Sequence, residues 1–259
     1  MTDIQTIAAL GSGALIGLVL GLVGGGGSIL AAPLLIYVVG VPSVHAAIGT
    51  ASLAVTVNAL TSLAGHARSG MVKWRCASVF AIAGVMGAAL GAEVGKAFDG
   101  KQLLMLFGLL MIGVGMSMLR RRRQDEAPDV RLTLASASVL LPRLGLTGLA
   151  VGSAAGFFGI GGGFLIVPGL MAATAMPLRN AVGTSLVVVT ALGMTTAASY
   201  ALSGYVDWPL SGLLIAGGVG GAVAGIGSGH RLARNKGLLE RLFAVIVIGT
   251  GAYIAARGS

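Results

Sequence analysis

Acidic residues are scarce in this chain. Asp and Glu together number 8 in 259 residues, and all but Glu93 fall in loops or near the termini. Paired intramembrane carboxylates for general acid–base work are therefore missing. So are a His-Glu-x-x-His pair and a glycine loop ending in Gly-Lys-Ser/Thr, the spacings that hold a catalytic zinc or a nucleotide phosphate. No catalytic set can be assembled, so the sequence argues against an enzyme and calls for no cofactor. There is one cysteine, Cys76, which cannot form an internal disulfide or a cysteine metal cluster and leaves the redox compartment open. Alternation with a period of two is also lacking, which excludes a membrane β-barrel. The first apolar segment, Ile4 to Val23, has neither a basic leader nor an Ala-x-Ala cleavage site and is read as a retained helix, not a signal peptide.

What the chain has instead is apolar surface and glycine. Hydrophobic residues make up 56% of it, charged residues 10%, and 44 positions are glycine, a balance far from that of a soluble domain. Uncharged windows such as Leu103 to Leu119 and Ala181 to Val206 are long enough to cross a hydrocarbon core of roughly 30 Å as helices. The chain is a polytopic membrane protein. Its net charge of +9 does not indicate nucleic acid, because the basic residues lie between apolar segments and act as topology signals.

The segments come in a repeated order. Ile4 to Val23 is a helix ended by Gly24 to Gly27, and Ile29 to Gly40 is a short apolar piece of roughly 18 Å at 1.5 Å per residue, too short to cross comfortably. Helices follow over Val44 to His66, Cys76 to Lys96 and Leu103 to Leu119. The basic run Arg120 to Arg123 then opens the one long hydrophilic linker. Pro33 matches Pro168, and Gly49-Thr50 matches Gly183-Thr184 at an offset shorter by one, a single position being lost in the turn between them. The second offset then holds through the next helix. Between Thr61 to Trp74 and Thr195 to Trp208, seven of fourteen positions are identical. The chain thus divides into an N-terminal repeat over 1–119, a linker over 120–135 and a C-terminal repeat over 136–259.

Five segments per repeat is an odd number, which turns the second half upside down relative to the first. With the linker in the cytoplasm, the inverted arrangement puts 14 of the 17 basic residues inside and leaves only Lys96, Lys101 and Arg257 outside. That agrees with the positive-inside rule and places both termini in the periplasm. The fold expected is an all-α polytopic bundle of two inverted repeats of about five helical segments each, with short glycine-broken helices near the centre. The four arginines of the linker are a solvated cluster suited to anionic lipid.

Glycine occurs in two patterns with different meanings. Gly13, Gly17 and Gly21 match Gly148, Gly152 and Gly156, and Gly87, Gly91 and Gly95 match Gly221, Gly225 and Gly229. At this spacing they form a groove along one helix face for a neighbouring backbone. The consecutive glycines differ, since they make poor helix and leave polar backbone that lipid cannot satisfy. Gly24, Gly25, Gly26, Gly27 and Ser28 form the first cluster; Gly159, Gly161, Gly162 and Gly163 form the second. Each is either a tight turn or one half of a binding site whose N–H groups, at the start of a short helix, favour an anion. Thr50 and Ser52, with Thr184 and Ser185, either cap or back-bond to their helices or supply neutral donors to substrate oxygens. Asn58, Thr56 and Thr190 lie deeper on the same helices, as further lining or as interhelical hydrogen bonders. His66 is a candidate for a proton or substrate role, being titratable within an apolar region.

These residues carry a resemblance. The duplicated Gly-x-x-Gly-x-Gly-Gly-Gly-x-x-x-x-Pro segment is followed by a turn proline, by Ala-x-Gly-Thr-Ser and by Ser-Gly-x-Val-x-Trp. The chain in this respect resembles the TauE/SafE family of sulfite exporters and organosulfur permeases over nearly its whole length. The second copy, Gly156 to Pro168, fits better; the first has Gly25 where the second has Ile160, and Ser28 where it has Gly163. The resemblance implies a bacterial inner-membrane transporter, an exporter by the family's name, for small sulfur-containing anions such as sulfite, sulfoacetate or thiosulfate. An anion channel and a non-transporting scaffold subunit are the alternatives, distinguished by a continuous pore and by the lack of a central polar site.

Overall fold

The computed structural model describes residues 3–120, 134–158, 163–232, 245 and 247–254. The linker arginines 121–123 and 131, the glycines Gly159, Gly161 and Gly162, and the basic residues Arg234, Lys236, Arg241 and Arg257 lie outside the described residues. Every element among the described residues is helical. In chain order they are α1 (Asp3–Val23), a 3-10 stretch (Gly24–Leu30), α2 (Ala31–Leu34), a π stretch (Leu35–Val39), α3 (Val44–Arg68), α4 (Trp74–Lys96), α5 (Gly100–Arg120), α6 (Leu134–Phe157), α7 (Gly163–Thr174), α8 (Leu178–Leu202) and α9 (Trp208–Leu232). A last helical stretch occupies 247–254. Seven of these runs are long and apolar enough to cross a membrane, so the chain is an all-helical polytopic membrane protein.

Helix ends follow the local chemistry. Ser43 caps α3 by accepting from Ala46 N–H at 3.3 Å, and Asp207 caps α9 by accepting from Leu210 N–H at 3.0 Å; each satisfies one of the orphan donors of a first turn. Gly70 and Gly204, counterparts at the repeat offset that relates Gly49 to Gly183, end α3 and α8 in the left-handed conformation, at φ +67° and +75°. α1 is broken at Gly24, whose φ is +69°, and the chain beyond the break, Gly24–Leu30, winds as a 3-10 helix before the short apolar piece. The tighter winding keeps backbone groups bonded where open turns would leave them bare, a condition lipid enforces.

The helices pack in related pairs: α1 lies against α9 and α4 against α6, with α3 and α8 crossing at the centre. The glycine ladders make the first two contacts. A Cβ at Gly13, Gly17 or Gly21 would strike the backbone of Leu214, Gly218 or Ala222, and one at Gly148, Gly152 or Gly156 would strike that of Phe80, Gly84 or Ala88. Leu214, Gly218 and Ala222 are in turn the repeat counterparts of Phe80, Gly84 and Ala88. One interface is thus built twice, with backbone against backbone, the close approach that small residues permit. In both copies the helices run parallel. By contrast α3 and α8 run antiparallel, since Gly49 lies beside Tyr200 while Thr56 lies beside Gly193.

Candidate functional site

The site begins with an interruption of α1. Gly24 has φ +69°, a conformation that costs an L-residue roughly 1–2 kcal/mol and glycine little. In an unbroken α-helix the Gly25 N–H would donate to the Gly21 carbonyl. Here it donates instead to Ser185 Oγ of α8 at 3.1 Å, and the Gly21 carbonyl is met by His66 Nε2 of α3 at 3.1 Å. A carbonyl only accepts, so Nε2 carries the proton. The donor and the acceptor separated at the break are each taken up by a side chain from a different helix.

The second glycine cluster meets the first at this point. A Cβ on Gly163 would collide with the Gly25 carbonyl and lie 2.5 Å from Ser28 Oγ, while one on Gly25 would lie 2.6 Å from the Gly163 carbonyl. The two backbones touch. Ser28 Oγ donates to the Gly25 carbonyl at 3.0 Å and Ser185 Oγ to the Val182 carbonyl at 2.7 Å. Gly24 to Ser28 are all buried. Gly24, Gly25, Ser28, Gly163 and Ser185 thus form one knot of backbone amides and two hydroxyls, walled by Val182 and Val189.

The threonines of the Gly-Thr pairs have another task. Thr50 Oγ1 accepts from Asp207 N–H at 3.0 Å, and Thr184 Oγ1 accepts from Lys73 N–H at 3.0 Å. Lys73 and Asp207 are related by the same repeat offset as Thr50 and Thr184, so these two bonds are one contact made twice. Each fixes the loop before α4 or α9 onto the opposing half of the chain. Ser52 Oγ donates to the Gly49 carbonyl at 2.8 Å, Thr56 to Ser52 at 2.7 Å and Thr190 to Leu186 at 2.8 Å, all back-bonds within their own helices. Asn58 is fully buried, its amide lodged against Gly218, and reaches the Leu214 carbonyl at 3.5 Å.

Lys96 and Arg179 each have partners of their own. Lys96 Nζ, at the end of α4, bonds Glu93 Oε1 at 2.7 Å, Ser199 Oγ at 3.1 Å and Ser203 Oγ at 3.2 Å, and Arg179 Nε lies 3.2 Å from Met71 Sδ. The knot's described donors, the Gly25 N–H and the hydroxyls of Ser28 and Ser185, are uncharged. Among the buried polar residues missed in the sequence reading, besides Ser12, Thr174 and Ser211, are Ser62, Thr196 and Tyr200. Their signal is spacing, for Asn58, Ser62 and His66 recur at every fourth position on α3 as Thr196 and Tyr200 do on α8.

Comparison with known proteins supplies the family of this helical membrane bundle. The model of the family "Sulfite exporter TauE/SafE" matches residues 9–254. The chain belongs to that family. It is 46% identical over 262 residues to a "Probable membrane transporter protein" of Xylella fastidiosa (strain Temecula1), covering 99% of this chain and 97% of the relative. It is 27% identical over 258 residues to the "Probable membrane transporter protein YunE" of Bacillus subtilis, covering 92% and 93%, and 30% identical over 182 residues to MJ0441 of Methanocaldococcus jannaschii, covering 68% and 65%. No solved structure matches.

Proposed function

We propose that the protein exports small sulfur-containing anions, sulfite or an organosulfonate, across the cell inner membrane by alternating access between two inverted repeats, residues 1–119 and 136–259. The observation that carries the reading is the Gly25–Gly163 contact, where the two glycine clusters touch without side chains between them. Glycine on both sides lets the halves close until backbone meets backbone and solute is shut out. Parting the halves would bare the Gly25 N–H and the hydroxyls of Ser28 and Ser185 to the opening. These are neutral donors of the kind an oxyanion accepts.

The inversion is supported by α3 and α8, which share the repeat offset yet run antiparallel. A two-fold that carries one onto the other lies across them, hence in the membrane plane if they span it. The basic linker then faces the cytoplasm and anionic lipid, and both termini face the periplasm. The family's printed name supplies the sulfite and the export direction.

The test is efflux from proteoliposomes loaded with radiolabelled sulfite, with thiosulfate and sulfoacetate as competitors. Saturable efflux that the competitors suppress is expected. Efflux rising linearly with concentration would indicate a channel, and none with any of the three would overturn the substrate class.

A further inference from the structure

The glycine ladders interlock in both directions. Gly13, Gly17 and Gly21 of α1 meet α9 backbone, and Gly217, Gly221 and Gly225 of α9 in turn meet the backbone of Leu10, Ala14 and Leu18 on α1. The other copy repeats this, with Gly87, Gly91 and Gly95 of α4 on the backbone of Leu149, Ser153 and Phe157 of α6. A slide of one helix along its partner would push backbone into backbone, since no side chain stands between them to give way.

Each locked pair takes one helix from each repeat. To the first pair α3 is fastened: His66 Nε2 meets the Gly21 carbonyl of α1 at 3.1 Å, the Asn58 amide is lodged against Gly218 of α9, and Thr50 holds the Asp207 N–H just before α9. To the second α8 is fastened. Lys96 of α4 bonds Ser199 and Ser203 at 3.1 and 3.2 Å, and Thr184 holds the Lys73 N–H just before α4. Because α1, α3 and α9 are the repeat counterparts of α6, α8 and α4, these are two equivalent units, each drawn from both repeats.

Between the units the contacts are of another kind. The two central helices meet by packing, with Thr56 against Gly193 and the His45 ring 6.3 Å from that of Tyr200. The glycine knot, Gly25 against Gly163 and Ser185, lies on the same boundary. Among the described elements the chain passes directly from one unit to the other at two short loops, 69–73 and 203–207. Each holds an exposed left-handed glycine, Gly70 or Gly204, with nothing within 4 Å of a Cβ there. A few loop residues free to absorb backbone rotation are what a hinge needs.

We propose that transport moves these mixed units as its rigid bodies, α1, α3 and α9 against α4, α6 and α8, turning on Gly70 and Gly204 and parting along α3, α8 and the glycine knot. The inference deepens the alternating-access reading and rests on it for the motion: the repeats supply the symmetry, and the mixed units are the parts that move. Repeats that parted from each other would have to unlock both ladders in every cycle.

Spin-label distances tell the two kinds of body apart. In a Cys76→Ser background, Ile7→Cys with Leu90→Cys joins α1 to α4, within one repeat but across the units. Ile7→Cys with Val223→Cys joins α1 to α9, across the repeats but within one unit; all three positions are exposed. In lipid nanodiscs the first pair should give two distance populations, whose ratio sulfite shifts at least threefold, and the second pair one narrow population throughout. The reverse pattern, or a single population for both pairs with and without sulfite, overturns the proposal. Engineered disulfides read flux instead. A Cβ on Gly193 lies 3.5 Å from that of Thr56, within reach of a bridge, so oxidised Thr56→Cys/Gly193→Cys, across the units, should lower sulfite efflux at least tenfold until reduced. Gly65 packs on the Ile226 side chain, and oxidised Gly65→Cys/Ile226→Cys, within one unit, should keep efflux within twofold. Efflux lost in both bridged proteins, or kept in the first, also overturns it. Two populations from the first pair alone in a protein that moves no sulfur anion would sink the substrate reading and leave the moving units standing; saturable sulfite efflux with the reverse distances would do the opposite.

Discussion

Ser185 of α8 accepts the Gly25 N–H at 3.1 Å across 160 residues of chain, the one described side-chain bond that ties the first glycine cluster to the other repeat. Its counterpart position in the first repeat is Ala51, which has no hydroxyl to give. The knot is therefore lopsided although the frame around it is paired. The paired contacts hold the scaffold, and the unpaired ones sit where solute is proposed to bind.

The duplicated helix interface predicts matched sensitivity. Gly17→Val and Gly152→Val each drive a side chain into facing backbone, of Gly218 and of Gly84, and each should cost about 3 kcal/mol as severe overpacking. Thermal melts in detergent should show the two losses to be similar. Gly113→Ala, with open space around its Cβ, should be neutral or stabilising by up to about 1 kcal/mol, since it removes a flexible residue from a helix.

The loop clamps should behave alike too. Thr50→Val and Thr184→Val each deprive one backbone N–H, of Asp207 or Lys73, of its acceptor, which should cost about 1–2 kcal/mol apiece. The two bonds share no partner, so the double variant should lose the sum within about 0.5 kcal/mol. Chemical denaturation of the three variants checks this, and a large coupling would mean that the clamps are not independent.

Much of this frame is legible in the sequence, because repetition reads directly: the ladders, the helix bounds near Val44 and Lys96 and the offset between matching positions, which changes by one in the turn before α3, all come from spacing. The local winding of Gly24 to Leu30 does not, for consecutive glycines permit a turn and a 3-10 helix equally. Nor does the division of labour among hydroxyls. Thr50 and Ser185 both lie just after a glycine in apolar helices, and only the packing decides that one fastens a loop while the other meets a glycine amide. Ser62, Thr196 and Tyr200 escaped notice because a buried polar residue looks the same in sequence whether or not anything bonds it.

One turn shows where the repeats parted. Gly40 at φ +80° and Ala175 at φ +56° hold equivalent places, separated by the same offset as Pro33 and Pro168, yet only glycine adopts that conformation without strain. Ala175→Gly, at an exposed position, should therefore raise stability by about 1 kcal/mol, read as an increase in Tm with sulfite flux unchanged.

Central to the transport reading is the glycine knot as the place where the anion binds. The measurement closest to it is sulfite counterflow in proteoliposomes carrying Ser185→Ala, with the Gly113→Ala protein as control. Loss of the hydroxyl removes a donor from the knot and leaves the Gly25 N–H without its acceptor, so counterflow is expected to fall at least tenfold in a protein that still elutes and melts as a folded species, while the control keeps its full rate. Wild-type counterflow from Ser185→Ala and from Gly25→Ala, both folded, would contradict it.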